Sequence, residues 1–256
     1  MTFLDALILG IVEGITEFLP ISSTGHLILA SRLLHLPDGD FVKTFEIVIQ
    51  FGAILAALLL YWRMLLLDVR TFAKAILAFI PTGVAGFLLY KLFKSLLGSD
   101  AIVVWSLVIG GILLIVLERL HAARATDDKG LESISYTQAF FLGVCQSVSM
   151  IPGVSRSAST IMPGLLMGIS RKTIVEFSFI LAVPTMAAAT GYELLKNYRH
   201  ISLQQFDVLA VGFVVSFLMA LVAIKGLLTY IQRHTFVAFG VYRILAGLAF
   251  WFFVLR

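Results

Sequence analysis

Hydrophobic positions along this chain are gathered into long blocks, with polar residues confined to short intervals between them. Six blocks, at about 44–62, 72–92, 101–118, 174–195, 206–230 and 235–255, approach the roughly 20 residues that a helix needs to cross the hydrocarbon core of a bilayer. Each is predicted to be a transmembrane helix. Two further regions, 3–34 and 136–169, are also apolar but are interrupted by "LPISSTGH" and "IPGVSRSAST". The run on either side of each break is too short to span, so each pair is predicted to be a re-entrant hairpin that enters the membrane and turns back. Broken backbone at that depth survives only where it is buried in protein or lines a wet cavity. The breaks are therefore where chemistry is expected.

The two interrupted regions resemble one another. "GIVEGITEFLPISS" from Gly10 and "GVCQSVSMIPGVSRS" from Gly143 share the first glycine, an acid or amide three residues on (Glu13, Gln146), a hydroxyl six on (Thr16, Ser149), and then a proline and a serine-rich break. The match continues into "FEIVIQFGAILAA" from Phe45 and "FSFILAVPTMAAA" from Phe177, at an offset near 132 residues. The chain thus reads as a single integral membrane domain, 1–256, built from repeat halves at about 1–125 and 130–256. Each half is one hairpin plus three crossings. An odd number of crossings turns the second half upside down, so the expected fold is an all-α polytopic membrane protein with an inverted-topology repeat. Such an arrangement brings two broken helices together near the midplane.

Composition narrows the partners. With 60% hydrophobic and only 13% charged residues among 256, the chain has about half the charge of a soluble domain, and membrane lipids are its expected surroundings. The net charge of +4 does not point to nucleic acid, because the basic residues are scattered over short loops. They are expected to set topology instead. Arg32, Lys43, Lys91, Lys94, Lys196, Arg199 and Arg256 fall on the side holding both termini. Arg63, Arg70, Lys74, Arg119, Arg124, Lys129, Arg171, Lys172, Lys225 and Arg233 fall on the other. The richer side is read as cytoplasmic, which places the termini outside. The single cysteine, Cys145, lies in apolar helix and is read as a packing residue.

Ionisable groups at bilayer depth are costly and need a partner, a cavity or a task. Glu13 and Glu17, four residues apart, share a helix face; two like charges so close favour a shared proton, a bound cation or a facing arginine. Ser22, Ser23 and Thr24 follow Pro20, where one of them would cap the next half-helix and leave its N-terminus facing an anion. His26 comes three residues after Ser23, close enough for imidazole and hydroxyl to lie on one side. In the second break Arg156 is flanked by Ser155, Ser157, Ser159 and Thr160, a planar five-donor fork among hydroxyls that suits phosphate oxygens. A salt bridge from Arg156 to Glu13 or Glu17 is compatible with that role. Arg243 is expected to serve a loop carbonyl or carboxylate, while Glu46 and Gln50 read equally as supporting groups or as packing polars. The substrate implied is one that carries phosphate to membrane depth, a lipid phosphate or diphosphate.

These motifs, "EGITEFLPISSTGH" and "PGVSRS" in a two-half layout, closely resemble those of the bacterial undecaprenyl-diphosphate phosphatase family, also called bacitracin-resistance proteins, essentially from end to end. The resemblance implies hydrolysis of undecaprenyl diphosphate to the monophosphate and inorganic phosphate, recycling the lipid carrier for peptidoglycan and other cell-wall polymers. It also implies a multi-pass protein of the bacterial inner membrane with its site open to the outer, periplasmic face. Matching positions are Glu13 and Glu17, Ser23 and His26, and Ser155, Arg156 and Ser157, with Thr160 nearby; Ser22 and Thr24 join the expected phosphate binders. Either Ser23 or His26 attacks phosphorus. Glu13 and Glu17 either bind Mg2+ or Ca2+ or act in acid–base chemistry without metal. A transporter of the polyprenyl phosphate lipid is the alternative class, and the sequence leaves monomer and homodimer open.

Overall fold

A computed structural model describes residues 1–37, 39–96, 99–122, 128–197 and 205–255; Arg124, Arg199 and Arg256 of the charge count, and part of the junction between the expected halves, lie outside the described residues. All regular structure among the described residues is helical. Among the described residues five helices are long and apolar enough to cross a membrane: α3 (Asp40–Leu67), α4 (Val69–Leu88), α6 (Asp100–Ala122), α9 (Arg171–Asn197) and α10 (Phe206–Tyr230). The sixth expected span is shorter. Its helix α11 (Val237–Phe250) loosens into a π-helical turn at Trp251–Leu255. The block predicted at 72–92 starts at Val69 and stops at Leu88, because the chain bends at Leu89 into the short helix α5 (Tyr90–Leu96). Large apolar side chains such as Phe87, Leu195, Leu245 and Phe253 are more than half exposed, a surface suited to lipid.

The interrupted regions form two helix pairs, α1 (Phe3–Thr16) with α2 (Ser23–Leu33) and α7 (Tyr136–Gln146) with α8 (Arg156–Leu166). Their 11 to 14 residues give about 17–21 Å of helix at 1.5 Å per residue, short of the roughly 30 Å core. Each pair begins on a reciprocal cap that satisfies two otherwise orphan N–H groups. Thr2 Oγ1 accepts from the Asp5 N–H while Asp5 Oδ2 accepts from that of Thr2; Ser135 and Gln138 repeat the exchange before α7.

α1 packs on α10 and α7 packs on α4. Glycine permits both approaches. A Cβ at Gly14 would stand 2.5 Å from the Ser216 carbonyl oxygen, and one at Gly143 would overlap that of Ala78. α3 packs on α9, and α6 on α11. The core between these pairs is aromatic where it meets the first break, with Phe18 fully buried and edge-on to Phe179 at 5.5 Å.

Candidate functional site

Both breaks end in a serine held at positive φ, Ser22 at 72° and Ser155 at 80°. Non-glycine residues adopt this region rarely, and such strain persists where the surroundings hold it. Arg243 supplies that hold. Fully buried on α11, it donates to the carbonyls of Pro20 in the first break and of Gly153 and Val154 in the second, and to those of Ser106 and Leu107 on α6, at 2.9–3.4 Å. Three backbone acceptors that the broken helices cannot satisfy internally are thus satisfied by one guanidinium, which also ties them to α6. The sequence left a loop carbonyl or a carboxylate as its partner; the structure gives carbonyls, and from both breaks.

Glu17, where α1 ends, joins the two breaks on the side of the cavity. Its Oε2 accepts from Ser23 Oγ at 2.6 Å, and its Oε1 accepts from Arg156 Nε at 3.4 Å. Arg156 also donates through Nη1 to the Ser178 carbonyl at 2.9 Å, and it lies over the Phe18 ring at 5.7 Å. Its Nη2 is buried without a hydrogen-bond partner, on a side chain only 10% exposed. A buried donor left open in this way is costly unless something fills it. Ser155, in the N-cap position of α8, accepts from the Ala158 N–H; Ser22, in the equivalent position of α2, makes no such bond. The side-chain cap expected at the start of α2 is therefore not made, because Ser22 in the N-cap position leaves that turn uncapped; the second break carries one on Ser155 instead.

A cavity of about 860 Å3 opens over this cluster, with Glu17, Ser22, Ser23, Thr24, Ser155 and Arg156 at its polar end. Gln50 also faces it. The remaining candidates lie behind its wall. Ser157 is buried and donates to the Leu19 carbonyl, tying one break to the other. Thr160 is buried against Gln146 and the Arg156 carbonyl. Glu13 is fully buried one turn from Glu17, within electrostatic reach of Glu46, and neither of its carboxylate oxygens has a hydrogen-bond partner.

His26 turns the other way. Its Nδ1 donates to the Ser22 carbonyl, which can only accept, so in the neutral ring Nε2 is the acceptor for the Tyr242 hydroxyl; both distances are 2.7 Å. The two rings stack at 5.5 Å. Tyr242 and Ser178 were not singled out from the sequence. The one available signal was the tyrosine next to Arg243 in "VYRILAG". Among the described residues no group of three or more His, Cys, Asp or Glu is arranged to hold a metal ion.

Residues 6–249 match the family described as bacitracin resistance protein BacA. The chain is 51% identical to an undecaprenyl-diphosphatase of Wolinella succinogenes over 99% of both chains. It is 50% identical to one of Persephonella marina over the whole of both, and 49% identical to one of Aquifex aeolicus over 98% of both.

Proposed function

The chain belongs to the bacitracin resistance protein BacA family, and from that premise we propose that it is an integral membrane phosphatase that hydrolyses undecaprenyl diphosphate to undecaprenyl phosphate and inorganic phosphate. This activity recycles the lipid carrier for cell-wall polymers, and in excess it withdraws the diphosphate lipid from bacitracin. One observation carries the reading: a hydroxyl on a carboxylate, Ser23 on Glu17 at 2.6 Å, beside an arginine with an open donor, all on one cavity wall.

In this reading the terminal phosphate lies against Arg156 and the uncapped start of α2, which hold the oxygens that gain charge during transfer. Ser23 Oγ attacks the terminal phosphorus while Glu17 takes its proton. The bond to the bridging oxygen breaks, and undecaprenyl phosphate leaves. Water then attacks the phosphoserine and releases inorganic phosphate. Ser23 is preferred to His26 as nucleophile because it faces the cavity, whereas His26 Nε2 is engaged by Tyr242. Glu13 and Glu17, one turn apart, would offer oxygen donors of the kind that Mg2+ or Ca2+ prefer. Held by Glu17 at the cavity wall, such a cation would supply positive charge beside the phosphate. Glu17, Ser23 and Arg156 perform the transfer.

The proposed architecture is an inverted repeat of two re-entrant hairpins. It is supported by the exchange of partners, α1 on α10 and α7 on α4, by the paired caps at Thr2 and Ser135, and by the paired positive φ of Ser22 and Ser155. An inner-membrane location with the site facing outward is supported by the cavity rim. Lys91 and, one helical turn from Glu193, Lys196 belong to the side that is poorer in Lys and Arg. The purified protein is expected to release phosphate from undecaprenyl diphosphate in detergent, and Ser23→Ala or Arg156→Ala should each reduce kcat/KM at least about 100-fold. Folded wild type that releases none, with or without Mg2+ or Ca2+, would overturn the reading.

A further inference from the structure

A side-chain amide at bilayer depth needs a hydrogen-bond partner, as a charge does, though at smaller cost. The two glutamines near the cavity meet that need differently. Gln146, in the second half, is fully buried; its Nε2 donates to Thr82 and Thr185, each at 3.1 Å, and its Oε1 accepts from Thr160 at 3.4 Å. That is a packing glutamine with both ends satisfied. Gln50 stands about 15 Å along α3, a helix of about 42 Å by its 28 residues. It is only partly buried, it lines the cavity with Glu17, Ser23 and Arg156, and its side chain makes no hydrogen bond among the described residues.

The backbone that carries Gln50 is held in place. The Ile49 carbonyl accepts from Ser216 Oγ at 2.7 Å, and Gly52 lets α3 lie so close to α10 that a Cβ there would stand 2.6 Å from the Phe213 carbonyl oxygen. Glu46, one turn before Gln50, is within electrostatic reach of Glu13, and one turn beyond Glu13 comes Glu17. The same step along each helix thus brings a carboxylate and an amide to one cavity. A terminal phosphate presents oxygens that only accept. Arg156 Nη2 and the uncapped start of α2 are open to it, and an amide N–H adds a donor without adding a charge beside Glu17 and Arg156.

We infer that the Gln50 amide donates to an oxygen of the terminal phosphate and keeps that bond while the phosphoryl group passes to Ser23, which makes Gln50 a catalytic residue lying outside both breaks. The inference rests on the proposed phosphatase reading.

Gln50→Met and Gln50→Leu preserve most of the volume and remove the donor, whereas Gln50→Glu preserves the shape and puts an acceptor in its place. For each purified variant, folding is followed by thermal unfolding, and kcat/KM on undecaprenyl diphosphate is set beside Ki for vanadate, which mimics a phosphoryl group in transfer. In Gln50→Met and Gln50→Leu kcat/KM is expected to fall at least about tenfold, and further in Gln50→Glu, with Ki rising in the same proportion. Folded variants within about twofold of wild type would overturn the inference. So would a fall in kcat/KM with Ki unchanged, which marks a structural role, or a loss restored by excess Mg2+ or Ca2+, which marks a cation ligand. Wild type that releases no phosphate would instead sink the phosphatase reading, and inorganic diphosphate then tests the contact alone. A rise in melting temperature in wild type that Gln50→Met lacks keeps the contact; an equal rise in both, or none in either, overturns it.

Discussion

Arg243 and His26 show how far residue type alone carries. Both stand out as polar groups in apolar surroundings, but each acquires its role from residues far away in sequence: Arg243 from Pro20 and Gly153, His26 from Tyr242. Replacing Arg243 with Met strands buried carbonyls, each orphan costing about 1–3 kcal/mol. The variant is expected to lose about 3 kcal/mol or more of stability in thermal unfolding, and most of its phosphatase activity. Unchanged stability would mean that the breaks hold their positive φ without it. Glu17 and Ser23 were each legible as site residues, while the hydrogen bond between them is a finding of the structure. The link to Arg156 was legible only through the repeat, which set the two breaks face to face. His26 was read as sharing a side with Ser23, but its Nδ1 returns to the Ser22 carbonyl at i−4, and this bond swings the ring off the cavity.

At the scale of elements, block length and proline-serine breaks were enough to place the spans and the two interrupted pairs. What they missed was local: the bend at Leu89 and the shortened α11 lie inside continuous apolar runs, where periodicity carries no signal. The start of α9 shows how a long helix is anchored outside the membrane. Asp128 accepts from the hydroxyls of Thr173 at 2.7 Å and Ser170 at 3.0 Å and from Lys172 Nζ at 3.1 Å, a negative charge at a helix N-terminus. The Thr173 hydroxyl first, then Lys172 and Ser170, hold its carboxyl below the ordinary 3.8, at about 2. A carboxyl lowered in the folded state stabilises above its unfolded value and ceases to do so as pH falls through the folded one. Asp128→Asn is therefore expected to lower the melting temperature by roughly 2–4 °C at neutral pH, with the gap closing between pH 4 and pH 2. A gap unchanged across that window would show that the charge contributes nothing.

For the whole molecule, the testable quantity is which face the cavity opens on. With Cys145 replaced by Ser, a cysteine at Lys91 on the cavity rim and one at Lys172 beside Asp128 report opposite ends of the bundle. A membrane-impermeant maleimide applied to intact spheroplasts is expected to modify position 91, and to reach position 172 only after permeabilisation. The reverse pattern would put the cavity on the cytoplasmic side. This orientation was the least legible property of the sequence, since it rested on a small excess of basic residues, and three of those counted, Arg124, Arg199 and Arg256, lie outside the described residues.

The bonds from Arg243 to both breaks also impose an order on biosynthesis. A ribosome delivers Pro20 first, Gly153 and Val154 later, and Arg243 after all of them. Until that last helix inserts, the carbonyls it will serve have no guanidinium to meet them. Assembly of the two breaks therefore waits for α11, which follows both of them in the chain. A chain ending at Tyr230 should insert yet release no phosphate, and supplying residues 231–256 as a separate polypeptide should restore the activity.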